Sequence, residues 1–109
     1  MAAKKITLRY DGKEYLLEFN RSTAQATEQR GFVAKEIDEK PNVMIPLLTE
    51  GAFLAHHSNI KRKDVEAIFS AQPNKDKLIA ALVEMYYDTT NSLMDSEGDE
   101  KNAGWEASW

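Results

Sequence analysis

Residues 4–19 alternate apolar and polar side chains on either side of Asp11-Gly12, and no other feature limits the fold so tightly. Asp-Gly between two alternating runs signals a two-residue type I′ turn, because both residues accept positive φ and the turn's twist matches that of antiparallel strands. Such a turn pairs Leu8 with Tyr15 and Ile6 with Leu17 on one face, and Arg9 with Glu14 and Lys5 with Glu18 on the other. A lone hairpin is marginal in water, so the face formed by Ile6, Leu8, Tyr10, Tyr15, Leu17 and Phe19 needs cover from helices or from another subunit.

The rest of the chain supplies helices. Ser22-Thr23-Ala24-Gln25 fits a capping box, predicting a short helix that runs to Arg30 and stops at Gly31, with Phe32 folding back on its last turn. A connection follows, with a short strand expected around 32–37. Asn42 is expected to cap a helix from Val43 that carries Pro46 in its first turn, where a missing N–H is harmless. Apolar or small residues surround most of that helix up to Ala55, which marks it as central, and Gly51 permits close approach of a neighbour. Val65, Ile68 and Phe69 mark one face of a further short helix. Asn74 is placed to cap the last one, whose stripe of Leu78, Leu82, Met85 and Tyr86 carries it to about Thr90, with an extension to Leu93 and Met94. The expected fold is α+β: an N-terminal β-hairpin packed against three or four α-helices in a single domain over 1–94, followed by a flexible acidic C-terminal tail over 95–109.

Composition narrows the function. A chain of 109 residues has room for one compact domain, and 42% hydrophobic with 29% charged residues is the balance of a globular protein. The absence of cysteine removes disulfides, thiolate metal ligands and cysteine catalysis. From Asp88 onward six carboxylates face one lysine, a net charge of −5, while the preceding 87 residues are near neutral at +1. The overall charge of −4 has the wrong sign for a general nucleic-acid binder. No secretory signal or apolar run of about 20 residues is present, so the sequence reads as cytoplasmic and without a membrane span.

Few residues point to chemistry. His56-His57 is a poor chelating pair, since neighbours on a helix diverge by about 100°. No nucleophile elbow, phosphate loop or paired-carboxylate motif appears, so the expectation is a protein that is not an enzyme and uses no metal or cofactor. Lys61-Arg62-Lys63 reads as a solvated helix entrance, and the acidic tail opposes a nucleic-acid role for it. The tail ends in Gly104-Trp105-Glu106-Ala107-Ser108-Trp109, and tryptophan is favoured where one polypeptide anchors on another. Trp105 and Trp109 with Glu106 are therefore candidate partner-binding residues, joined by Phe53 and Leu54 of the apolar helix. Docking of the tail on its own domain and on a partner both stay open.

The order of Lys5-Ile6-Thr7-Leu8 with the Asp11-Gly12 hairpin, Glu18-Phe19-Asn20-Arg21, Gly31-Phe32-Val33, Gly51-Ala52-Phe53-Leu54-Ala55-His56-His57 and the ending Lys101-Asn102-Ala103-Gly104-Trp105-Glu106-Ala107-Ser108-Trp109 resembles a family of small tail-assembly chaperones from tailed phages and prophages of Gram-positive bacteria. That resemblance implies an assembly factor of the host-cell cytoplasm that binds the tape-measure protein and helps recruit the major tail protein; whether it acts as a homo-oligomer stays open. It also implies the short form, where a frameshift-extended one exists. Two other classes stay open: a structural virion component, such as a tail or head-completion protein, and a small nucleic-acid-binding regulator.

Overall fold

The structure is a computed structural model that describes residues 4–94, 104 and 106–108. It is an α+β fold: β1 (Lys5–Tyr10) and β2 (Lys13–Glu18) form an antiparallel hairpin, followed by helices α1 (Arg21–Gln29), α2 (Pro41–Phe53), α3 (Arg62–Ser70) and α4 (Lys75–Leu93). The hairpin turns at Asp11 (φ +51°) and Gly12 (φ +75°), the left-handed pair that a type I′ turn requires. Its register is the one the alternation dictates, with Leu8 opposite Tyr15, Ile6 opposite Leu17 and Arg9 opposite Glu14. The same parity puts Tyr10 and Lys13 opposite each other on the apolar face, next to the turn.

Phe19 is buried immediately after β2, so α1 begins only two residues later, at Arg21, and Asn20 takes the cap position expected of Ser22. Asn20 Oδ1 accepts from the Thr23 amide at 2.8 Å, and Thr23 Oγ1 accepts from the Asn20 amide at 3.0 Å, closing a capping box two residues earlier than the sequence suggested. The helix ends as expected. Gly31 adopts φ +108°, its amide donates to Glu28 O at 3.0 Å, and the Phe32 amide donates to Thr27 O at 3.3 Å, a Schellman motif that folds the Phe32 ring into the core.

The strand expected around 32–37 is absent; Ala34–Glu36 forms a 3₁₀ turn. Ala34 and Ile37, three apart, pack on the core while Val33 is exposed, a spacing that suits a turn and not a pleat. Helix α2 starts at Pro41, two residues before the expected Val43, and Lys40 occupies the cap position in place of Asn42 without a side-chain bond. Proline at the first helical position explains the earlier start, because its fixed φ suits a helix and its missing N–H would find no partner there. Pro46 consequently lies inside the helix and not in its first turn.

Helix α2 packs against α1, α3, α4 and β2, which makes it the axle of the fold. Leu48, Ala52 and Phe53 from α2 are fully buried together with Leu17 of the hairpin and Leu82 of α4. Aromatic edges complete the centre: Tyr86 meets Phe19 at 5.6 Å and Phe32 at 5.0 Å, both near perpendicular. Asn74 stands before α4 with φ +53° and makes no capping bond, so it contributes a left-handed turn where a side-chain cap was expected. No helix among the described residues is long and apolar enough to cross a membrane.

Candidate functional site

The core is closed by pairs that hold one element on another, and concavities open between the elements, two of them among the described residues lined by side chains of chemical interest. Arg62, at the start of α3, reaches back to Glu50 of α2, with Nε to Oε1 at 2.5 Å and Nη2 to Oε2 at 3.3 Å. The Glu50 side chain is only 9% exposed, and its hydrogen bonds raise the Arg62 guanidinium further above its ordinary value. Arg62 is thus committed to the fold although its side chain is largely in solvent, while the likewise exposed Lys61 and Lys63 take part in none of the ion pairs among the described residues. Lys4 bonds Glu84 at 2.6 Å, which raises the lysine and lowers the carboxylate, and fastens the start of β1 to α4.

The adjacent histidines serve the edge of β2. Hairpin parity turns the Leu16 N–H away from β1, and His57 Nε2 accepts it at 3.2 Å, which fixes the neutral ring with its proton on Nδ1. The His57 ring also lies 5.3 Å from Tyr15 and 6.0 Å from Phe53. His56 Nε2 meets Glu18 Oε1 at 2.7 Å. Each ring therefore has its own partner on the strand, and the loop after α2 is strapped along the hairpin. On the far edge Gln72 Nε2 donates to Arg9 O at 2.9 Å. Exposed strand edges invite pairing with other chains, and these side chains occupy part of both.

The larger concavity, about 600 Å³, opens beneath the hairpin tip. Tyr10, Lys13 and Tyr15 form its roof, the segment from His56 to Ile60 one wall, and Asp64, Ala67 and Ile68 of α3 the floor. The sequence held one unread signal for it: Lys13 stands in register on the otherwise apolar face. The smaller concavity, about 280 Å³, is a groove between α2 and α3 lined by Ile45, Pro46, Val65 and Phe69, with Glu50 and Glu66 beside them.

Of the residues singled out for partner binding, Phe53 is 0% exposed and its ring meets that of Tyr15 at 5.9 Å, tilted by 58°. It offers no surface to a partner in this fold, because the helix face on which it lies points into the centre of the domain. Leu54 is half-buried at the end of α2, and Glu106 is exposed. Trp105 and Trp109 lie outside the described residues. Larger exposed apolar side chains stand elsewhere, with Leu93 at 65% and Met94 at 76% at the end of α4.

A family model described as "Domain of unknown function (DUF5055)" matches residues 1–109. The chain belongs to the DUF5055 family. No curated protein and no solved structure matches it. The family match spans the hairpin, all four helices and the tail, so the cleft and the groove both lie within the DUF5055 region.

Proposed function

We propose that this DUF5055 protein is a non-catalytic tail-assembly chaperone of a tailed phage or prophage. It works in the host-cell cytoplasm, holding apolar segments of the tape-measure protein until subunits of the major tail protein replace them. The observation that carries the reading is the groove between α2 and α3. Its wall residues Ile45, Pro46 and Phe69 are only partly covered by the domain's own side chains. A groove of about 280 Å³ admits one or two apolar side chains. Burying each contributes roughly 1.5–3 kcal/mol, enough for a weak, reversible grip that several copies along one long client turn into avidity. Exposed Leu93 and Met94 add apolar surface at the end of α4, and the sequence resemblance names the client.

Co-expression with the tape-measure gene tests this. The tagged protein is expected to retain the tape-measure product and to be missing from purified virions by mass spectrometry. Ile45→Lys, with its fold checked by circular dichroism, is expected to release the client, as is the double change Trp105→Ala with Trp109→Ala. Failure to retain the tape-measure product, or stoichiometric recovery of this chain from mature particles, overturns the proposal.

A further inference from the structure

The geometry points to a second site: the cleft beneath the hairpin tip binds a cationic side chain, arginine or lysine, presented by a polypeptide. Three features of the cleft carry this inference. Its volume of about 600 Å³ lies within the range of small-ligand sites, so it admits a long side chain and part of its flanking backbone. Two tyrosine rings, Tyr10 and Tyr15, hang half-buried from the core-facing side of the hairpin, and an aromatic face attracts a cation held against it. Two carboxylates line the same cleft from different elements, Asp11 from the turn and Asp64 from the first turn of α3.

The charges in the cleft do not cancel. Among the described residues, neither Asp11 nor Asp64 takes part in an ion pair. His57 accepts the Leu16 N–H and is therefore neutral, and His56 is turned onto Glu18. Lys13 is the one remaining cation of the lining, an exposed residue beside the turn that is likewise in none of those ion pairs. Two carboxylates against one ammonium leave a net negative, aromatic-walled cavity. A guanidinium fits it best, since its flat fork stacks on a phenol ring and presents paired N–H groups to a carboxylate. The apolar floor of Ala67 and Ile68 suits the methylene stem of such a side chain.

This inference rests on the proposed client-holding role only for the source of the side chain, and its test uses a free probe so that the two fail separately. The full chain, ¹⁵N-labelled, is titrated with N-acetyl-arginine amide and, separately, with N-acetyl-glutamate amide. The arginine probe is expected to shift the amides of Tyr10, Tyr15, Asn59 and Asp64 and to leave those of the α2–α3 groove in place. Asp64→Asn is expected to weaken it about fivefold. Asp11→Asn, which keeps a side chain suited to positive φ in the turn, is expected to do the same. Lys13→Gln removes the competing cation and is expected to tighten the probe. Shifts spread evenly over the acidic surface, stronger binding of the glutamate probe, or weakening by Lys13→Gln would overturn the assignment.

Discussion

Thr27 Oγ1 occupies the space that any side chain at Gly51 would need: a Cβ built on Gly51 stands 2.1 Å from it. Thr27 is fully buried and its hydroxyl donates to Thr23 O at 2.7 Å, so turning it aside forfeits that bond. Gly51→Ala is therefore expected to cost about 1–3 kcal/mol, more than the roughly 1 kcal/mol that alanine contributes through helix propensity. Adding Thr27→Ala removes the two nearest contacts, while Thr27 Cβ at 3.0 Å remains, so partial recovery is expected. Urea denaturation of the four members of this cycle measures the coupling, and strictly additive losses would contradict the contact.

The pairing of Glu50 with Arg62 makes a different kind of joint, and it fails asymmetrically. Arg62→Met leaves a carboxylate that is 9% exposed without its counter-charge. Because Arg62 itself is largely in solvent, the expected loss is about 1–3 kcal/mol, below that of a wholly buried pair. Combining it with Glu50→Leu removes the stranded charge and is expected to return most of the stability. Denaturation midpoints of the single and double variants decide it; a double variant less stable than Arg62→Met alone would contradict this account.

These joints mark where sequence reasoning reaches and where it stops. The hairpin and its register were legible because a two-residue turn leaves the strands one way to pair, and the close approach at Gly51 because a lone glycine in an apolar helix has few other uses. The starts of α1 and α2 were not. Asn20, Ser22, Lys40 and Asn42 are all acceptable flanking residues, and the burial of Phe19 and the fixed φ of Pro41 chose among them. The cleft was hidden for another reason: Tyr10, Lys13 and Asp64 come together only when α3 packs beneath the hairpin. Phe53 reads as a binding residue in the sequence because periodicity does not say which side of a nearly all-apolar helix is left uncovered.

His57 makes two contributions that substitution can separate. Replacing it with phenylalanine preserves an aromatic ring against Tyr15 and Phe53 but removes the Nε2 acceptor of the Leu16 amide. His57→Phe is expected to cost about 1–2 kcal/mol and to speed hydrogen exchange at the Leu16 amide about tenfold or more, with little change at the Tyr15 amide, which bonds across the hairpin. Native-state exchange followed by NMR reads both amides in one experiment. Equal acceleration at the two would mean that the whole hairpin had loosened and that the strap at Leu16 is not specific.

Tyr86 ties α4 to α1 by donating its phenol proton to Glu28 while its ring fills the aromatic centre. Burial first, and then the adjacent Glu28 carboxylate, hold the phenol proton well above its ordinary value of 10.0. For a group whose folded pKa is raised, the linked stability is complete below the unfolded value and is lost as pH rises from there through the folded one. Wild-type stability is therefore expected to fall more steeply above pH 10.0 than that of Tyr86→Phe, which has no phenol to ionise on unfolding. At neutral pH the variant is expected to be about 1 kcal/mol less stable, from the lost hydrogen bond, with the difference narrowing in alkali. Urea denaturation across the alkaline range measures both curves, and ultraviolet absorbance is expected to show one tyrosine ionising late in wild type and none so late in the variant. Parallel stability curves for the two proteins above pH 10.0 would mean that water reaches the phenol and that the Glu28 contact adds nothing.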